Sequence, residues 1–158
     1  MWRWIVLAFA LLFIASRLTR LRPSAHDKKL DLLRQTAAQM GLAVRFWTLR
    51  TSGYQHRQLP ESGYLYYFPW PITDQPQKLW AIWLNAEGEM QDIAGSVPAI
   101  AQQWLVSFRQ NFPESWALLE CSATGMGLLW QERGTPEDVK NIAQALDVLR
   151  KNLDVIAS

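Results

Sequence analysis

From Trp4 to Ser16 the chain carries no charge and is apolar on every side. Beyond that run the pattern becomes periodic. In "HDKKLDLLRQTAAQMG", Leu30, Leu33, Ala37 and Met40 fall on one helical face, and Gly41 is placed to stop the helix. "LAVRFWTLR" alternates as a strand, with Leu42, Val44 and Phe46 on one side. "GYLYYFPWP" alternates likewise through Tyr64, Tyr66, Phe68 and Trp70, while Pro69 and Pro71 predict an edge or a strand end. "KLWAIWLN" predicts a third strand, and "NAEGE" turns it into a short fourth, "EMQDI". A middle helix is expected from about Ser96, with Pro98 in its first turn and Ile100, Trp104, Leu105, Phe108 and Phe112 on its apolar face. "WALLECSA" and "MGLLWQE" predict a hairpin across "ATGM". The last helix has the clearest grammar. Thr135 caps it, Pro136 fits its first position, and Asp138 supplies the return acceptor of a capping box. Val139, Ile142, Leu146, Leu149, Leu153 and Ile156 form its stripe, read as core in preference to a dimer seam.

The order is helix, three or four strands, helix, two strands, helix. Short turns between strands favour antiparallel pairing. The expected fold is α+β: an N-terminal transmembrane helix, then a mostly antiparallel sheet with three helices packed on one face.

The leading apolar run is too greasy all round for a soluble amphipathic helix. Its flanks lengthen it toward the roughly 17–25 residues a membrane span needs. Trp2 and Trp4 suit the bilayer interface, and Arg17, Arg20 and Arg22 form a basic stop. A cleaved export signal would place a second small residue where Phe13 and Ile14 stand, so retention is favoured. The expected organisation is an anchor with its basic stop over 1–22, a juxtamembrane linker over 23–29 and a cytosolic α+β domain over 30–158. The side rich in Arg17, Arg20, Arg22, Lys28 and Lys29 is expected in the cytoplasm of a bacterial inner membrane, with the N-terminus outside.

Charge sharpens this division. The net charge is +2, but six of the sixteen Lys/Arg and only one of the fourteen acids lie within residues 1–29. The remainder is slightly acidic and lacks the basic face of a nucleic-acid binder. One stretch, Leu32 to Pro60, holds Arg34, Arg45, Arg50, His56 and Arg57 without an acid. It reads first as solvated surface and second as a phosphate- or membrane-facing patch.

Catalytic chemistry is hard to find. Cys121 lies in an apolar run, and only His26 and His56 are available to activate it. The carboxylates are scattered. Glu120 and Glu132 share the predicted hairpin but are expected to point to solvent. "GMG" at Gly125–Gly127 lacks the context of a dinucleotide loop. No enzyme activity, cofactor or metal site is expected; a hydrolase of membrane-derived substrates would need a pocket that sequence does not display.

The segment "RLRPSAHDKKLDLLRQ", following an apolar span, resembles the juxtamembrane region of the YajC family, the small accessory subunit of the Sec preprotein translocase. Arg22, Pro23, Lys28 and Lys29 carry the likeness, which covers about the first 40 residues. The family's Gly-rich β segment has no counterpart in "GLAVRFWTLRTSGYQH". The resemblance implies a single-pass anchor and an accessory role in secretion. The expected function is therefore a membrane-anchored, non-enzymatic accessory or scaffold protein that binds another protein near the bilayer. The alternative is a module for anionic lipid or a small amphiphile. The candidate surface for either is Arg45, Arg50, Arg57, Tyr64, Tyr66 and Trp70. Expected partners are the bilayer and a protein, with no nucleic acid and with a homodimer left open.

Overall fold

A computed structural model describes residues 24–54, 59–71, 79–110 and 117–157, together with Trp2, Ile5, Val6, Leu12, Phe13 and Phe112. Side chains are described as far as Leu153. The chain divides into two compact units, Met1–Asp31 and Leu32–Ser158.

In the first unit, Trp2, Ile5, Val6, Leu12 and Phe13 are helical and exposed. Among the described residues no helix is long and apolar enough to cross a membrane. The expected span falls mostly outside the described residues, as do Trp4, Arg17, Arg20 and Arg22. Helix α1, Ala25–Gln39, starts in this unit and continues into the second. Ser24 and Asp27 cap it reciprocally: the Asp27 amide donates to Ser24 Oγ at 3.1 Å, and the Ser24 amide and hydroxyl donate to Asp27 Oδ2 at 2.9 and 2.7 Å. Those bonds, the hydroxyl's first, hold the Asp27 carboxyl below its ordinary range.

Gly41 ends α1 as predicted, with φ of 80°, while the Leu42 amide donates back to the Ala37 carbonyl at 2.9 Å. Then follow β1 (Ala43–Thr48), the short α2 (Leu49–Ser52), β2 (Ser62–Pro69), β3 (Trp80–Leu84), β4 (Met90–Ala94), α3 (Ala99–Arg109), β5 (Ala117–Cys121), β6 (Gly125–Trp130) and α4 (Pro136–Ala157). The strands form one six-stranded sheet in the order β1-β2-β6-β5-β3-β4, antiparallel throughout.

Alternation splits the side chains between two covered faces. Phe68, Leu128, Trp130 and Tyr66 lie on the face that carries α1, α3 and α4. Arg150 of α4 sits over the Phe68 ring at 5.1 Å. Trp104 and Phe108 of α3 stack at 4.7 Å, Phe108 meets Phe112 at 5.3 Å, and Phe112 meets Trp130 at 6.0 Å. Trp104 Nε1 also donates to the Ala145 carbonyl at 3.0 Å, joining α3 to α4. The opposite face buries Trp47, Leu65, Trp83, Leu118 and Leu129 beneath Leu49, Tyr54 and Leu59. This second layer, α2 and the chain after it, is not foreseen in the periodicity, which placed only helices, and on one face.

Pro69 ends β2, as its sequence allows, in a strand that is internal to the sheet. Two other local expectations need correction. The middle helix begins at Ala99 with Pro98 as its N-cap, not at Ser96, and Phe112 lies beyond its end. Trp70 lies past β2, outside the strand's alternation. The terminal helix fits its sequence grammar. Thr135 and Asp138 form the capping box, with the Thr135 amide donating to Asp138 Oδ2 at 2.7 Å and the Asp138 amide to Thr135 Oγ1 at 3.3 Å. Val139, Ile142, Leu146 and Leu149 are buried, so the stripe is core over these four positions; Leu153 is half-buried, and the Ile156 side chain lies outside the described residues.

Candidate functional site

Buried charge is costly unless paired. Two glutamates nevertheless lie inside the domain, one on each face of the sheet. Both correct the expectation that they point to solvent.

Glu132 follows β6 on the helical face, with its side chain 1% exposed. It is the one non-glycine among the described residues with a positive φ, 58°, a conformation that costs about 1 kcal/mol or more. Arg34 of α1 grips it as a fork: Nε donates to Oε1 at 3.0 Å and Nη2 to Oε2 at 2.9 Å. Tyr66, fully buried on β2, donates its hydroxyl to Oε1 at 2.7 Å. The Tyr64 ring lies 4.4 Å beneath the Arg34 guanidinium, and Trp130 meets Tyr66 edge-on at 5.4 Å. Hydrogen bonding to Glu132 raises the Arg34 pKa further above its already high ordinary value.

Glu120 of β5 lies on the other face, 2% exposed. Arg45 reaches it from β1, Nη2 to Oε1 at 2.6 Å, although β2 and β6 stand between them. The path crosses Gly127, which pairs with Tyr67 on one side and Glu120 on the other and therefore shares their face. Tyr54 donates to Glu120 Oε2 at 3.3 Å, and the Arg45 guanidinium lies 5.5 Å from the centre of the Tyr67 ring. Arg45 Nε has no hydrogen-bond partner among the described residues.

Most described members of the candidate surface have partners within the domain. Arg45 is committed to Glu120. Tyr66 is buried, and Tyr64 supports Arg34. Trp70 is half-buried, its Nε1 donating to the Ser122 carbonyl at 2.8 Å. Arg50 alone is exposed, beside Tyr54, Glu61 and Ser62 in an open groove of about 720 Å³. Arg57 and His56 lie outside the described residues.

Burial shifts three titratable groups around these pairs. Burial, and then the neighbouring Glu120 charge, push the Cys121 thiol up to about 11 from an ordinary 9.0, so it stays protonated near neutrality. Burial also drives Tyr54 and Tyr66 well above the ordinary phenol value, helped by Glu120 and Glu132 respectively. Each shift holds a group neutral in the folded state that ionises more readily when unfolded. Their stabilisation is therefore fully present below the unfolded pKa and is lost as pH rises through the folded one. Urea midpoints should be insensitive to these groups up to about pH 8. The unfolding free energy should then fall from about pH 9 for Cys121 and from about pH 10 for the tyrosines, by about 1.4 kcal/mol per pH unit per group. Cys121→Ala, Tyr54→Phe and Tyr66→Phe should each flatten that alkaline slope; an unchanged slope in all three would refute the assignment.

Among the described residues no group of three or more His, Cys, Asp or Glu could hold a metal ion. No family model, curated protein or solved structure matches the chain.

Proposed function

We propose that this protein is a membrane-tethered, non-enzymatic scaffold. Its apolar leader spans a bacterial inner membrane, N-terminus outside, and the α+β unit binds another protein at the cytoplasmic face. The observation that carries this reading is that both buried carboxylates are held by arginine and capped by a tyrosine hydroxyl. A group that turns over substrate must be reached by it, whereas Glu120 and Glu132 brace the sheet from within. Apolar side chains that face solvent, Val106 on α3 and Val148 on α4, supply contact area instead. The YajC-like pattern at Arg22, Pro23, Lys28 and Lys29 makes a translocase subunit the first partner to seek.

Photo-crosslinking residues placed at Val106 and Val148 in the full chain, in native membranes, should capture a discrete protein that survives a carbonate wash. Labelling of lipid alone at both positions would favour the amphiphile-binding alternative, and release of the chain by carbonate would remove the tether. Orientation has its own test. Alkaline phosphatase fused after Pro23 should be inactive in cells, and an active fusion would place the domain outside.

A further inference from the structure

The two sheet edges differ in how they are protected. Strand β4 contains Asp92, and its pairing with β3 shifts register between Ala81 and Ile82, a bulge that blunts an edge. Strand β1 has none of these devices. It pairs with β2 along all six residues, contains no proline or bulge, and its single charge, Arg45, is tied to Glu120. In its middle stands Phe46, 60% exposed, the most exposed large apolar side chain described in the Leu32–Ser158 unit. Among the described residues, Tyr64 is the one aromatic ring against it, at 5.4 Å and 62°.

We propose that β1 pairs antiparallel with β1 of a second copy of this chain, about a two-fold axis at Phe46, to make a continuous twelve-stranded sheet. An antiparallel strand is inherently self-complementary about such an axis. The side chains select the register. Centring on Arg45 would set Phe46 opposite Val44 and leave each exposed ring without its counterpart. Centring on Phe46 sets Phe46 against Phe46 of the second copy and Val44 against Thr48. Arg45 and Trp47 then face each other as backbone alone, because Trp47 is 3% exposed in the core and Arg45 is turned inward to Glu120. The exposed ring thus gains an aromatic neighbour. An acidic peptide is less well matched, because Arg34 and Arg45 are already neutralised on their own chain. A six-residue ladder is a small contact, so the dimer should dissociate on dilution.

The full chain in detergent, followed by sedimentation equilibrium, provides the test. Wild type should show a concentration-dependent dimer. Phe46→Lys and Phe46→Glu should each weaken it by about 100-fold or more, through like charges across the axis. A one-to-one mixture of the two should restore a heterodimer. Unchanged circular dichroism and melting would show that the fold survives, as expected for an exposed position. In native membranes Phe46→Cys should form a disulfide-linked dimer on oxidation, while Arg50→Cys should not. A wild type that stays monomeric at about 100 µM overturns the proposal. So does a Phe46→Lys dimer as tight as wild type, or a mixture that fails to associate.

Discussion

Replacing Gly127 with alanine is expected to destabilise the fold by about 3 kcal/mol or more, enough to leave little native protein. Gly127 sits in the middle of β6, between Tyr67 of β2 and Glu120 of β5. A Cβ there would lie 2.4 Å from Tyr67 Cβ, 2.6 Å from the Tyr66 carbonyl oxygen and 2.9 Å from Tyr67 Cα. None of these atoms is the far end of a flexible side chain, so relief requires β2 and β6 to separate. That separation breaks the ladder beneath Leu65 and Leu129, both in the core. It also blocks the gap through which Arg45 reaches Glu120, leaving a buried carboxylate without its cation. Gly53→Ala is the control. Gly53 has φ of 75° but nothing within 4 Å of an added Cβ, so only backbone strain of about 1 kcal/mol applies. Urea unfolding of the full chain separates the cases, and a Gly127→Ala protein melting within about 2 °C of wild type would show that the strands can yield.

The element order was readable because its signals are local. Thr135, Pro136 and Asp138 announce α4, and Gly41 stops α1. Turn residues separate β3 from β4 and β5 from β6. The buried ion pairs were not readable, because each joins residues far apart in the chain: 98 positions for Arg34 and Glu132, 75 for Arg45 and Glu120. One clue was available. "WALLECSA" is apolar on both parities, so a strand there is covered on both faces, and Glu120 must then be buried and need a cation. The same argument implies the second layer over Trp47 and Leu118. The arginine-rich stretch misled for the complementary reason. Its acids are absent from the neighbouring sequence but present across the sheet. Tyr66, placed on a candidate surface by its aromatic strand, is buried, while Phe46, read on one side of its strand with Leu42 and Val44, is exposed. Its exposure follows from β1 lying at the sheet edge, which no local pattern encodes.

The two members of a buried pair should not be equally sensitive, and this distinguishes a bracing role from a merely decorative one. Arg34→Met is expected to cost about 3 kcal/mol, because it strands a carboxylate that is 1% exposed and leaves it, among the described residues, the Tyr66 hydroxyl. Glu132→Gln is expected to cost nearer 1 kcal/mol. The amide oxygen still accepts from Tyr66, and the Arg34 side chain, 37% exposed, can turn into water. Removing the whole cluster, as Arg34→Met with Glu132→Met and Tyr66→Phe, should recover most of the Arg34→Met loss, since no buried charge or hydroxyl is then left unmatched. The same ordering should hold for Arg45→Met against Glu120→Gln. The two clusters lie on opposite faces of the sheet and share no partner, so losses from Arg34→Met and Arg45→Met should add within about 0.5 kcal/mol. Equal costs for Arg34→Met and Glu132→Gln would mean that the carboxylate does not depend on its arginine. A strongly non-additive double variant would mean that the two faces are coupled through the strands between them, and that the scaffold is less rigid than its buried pairs imply.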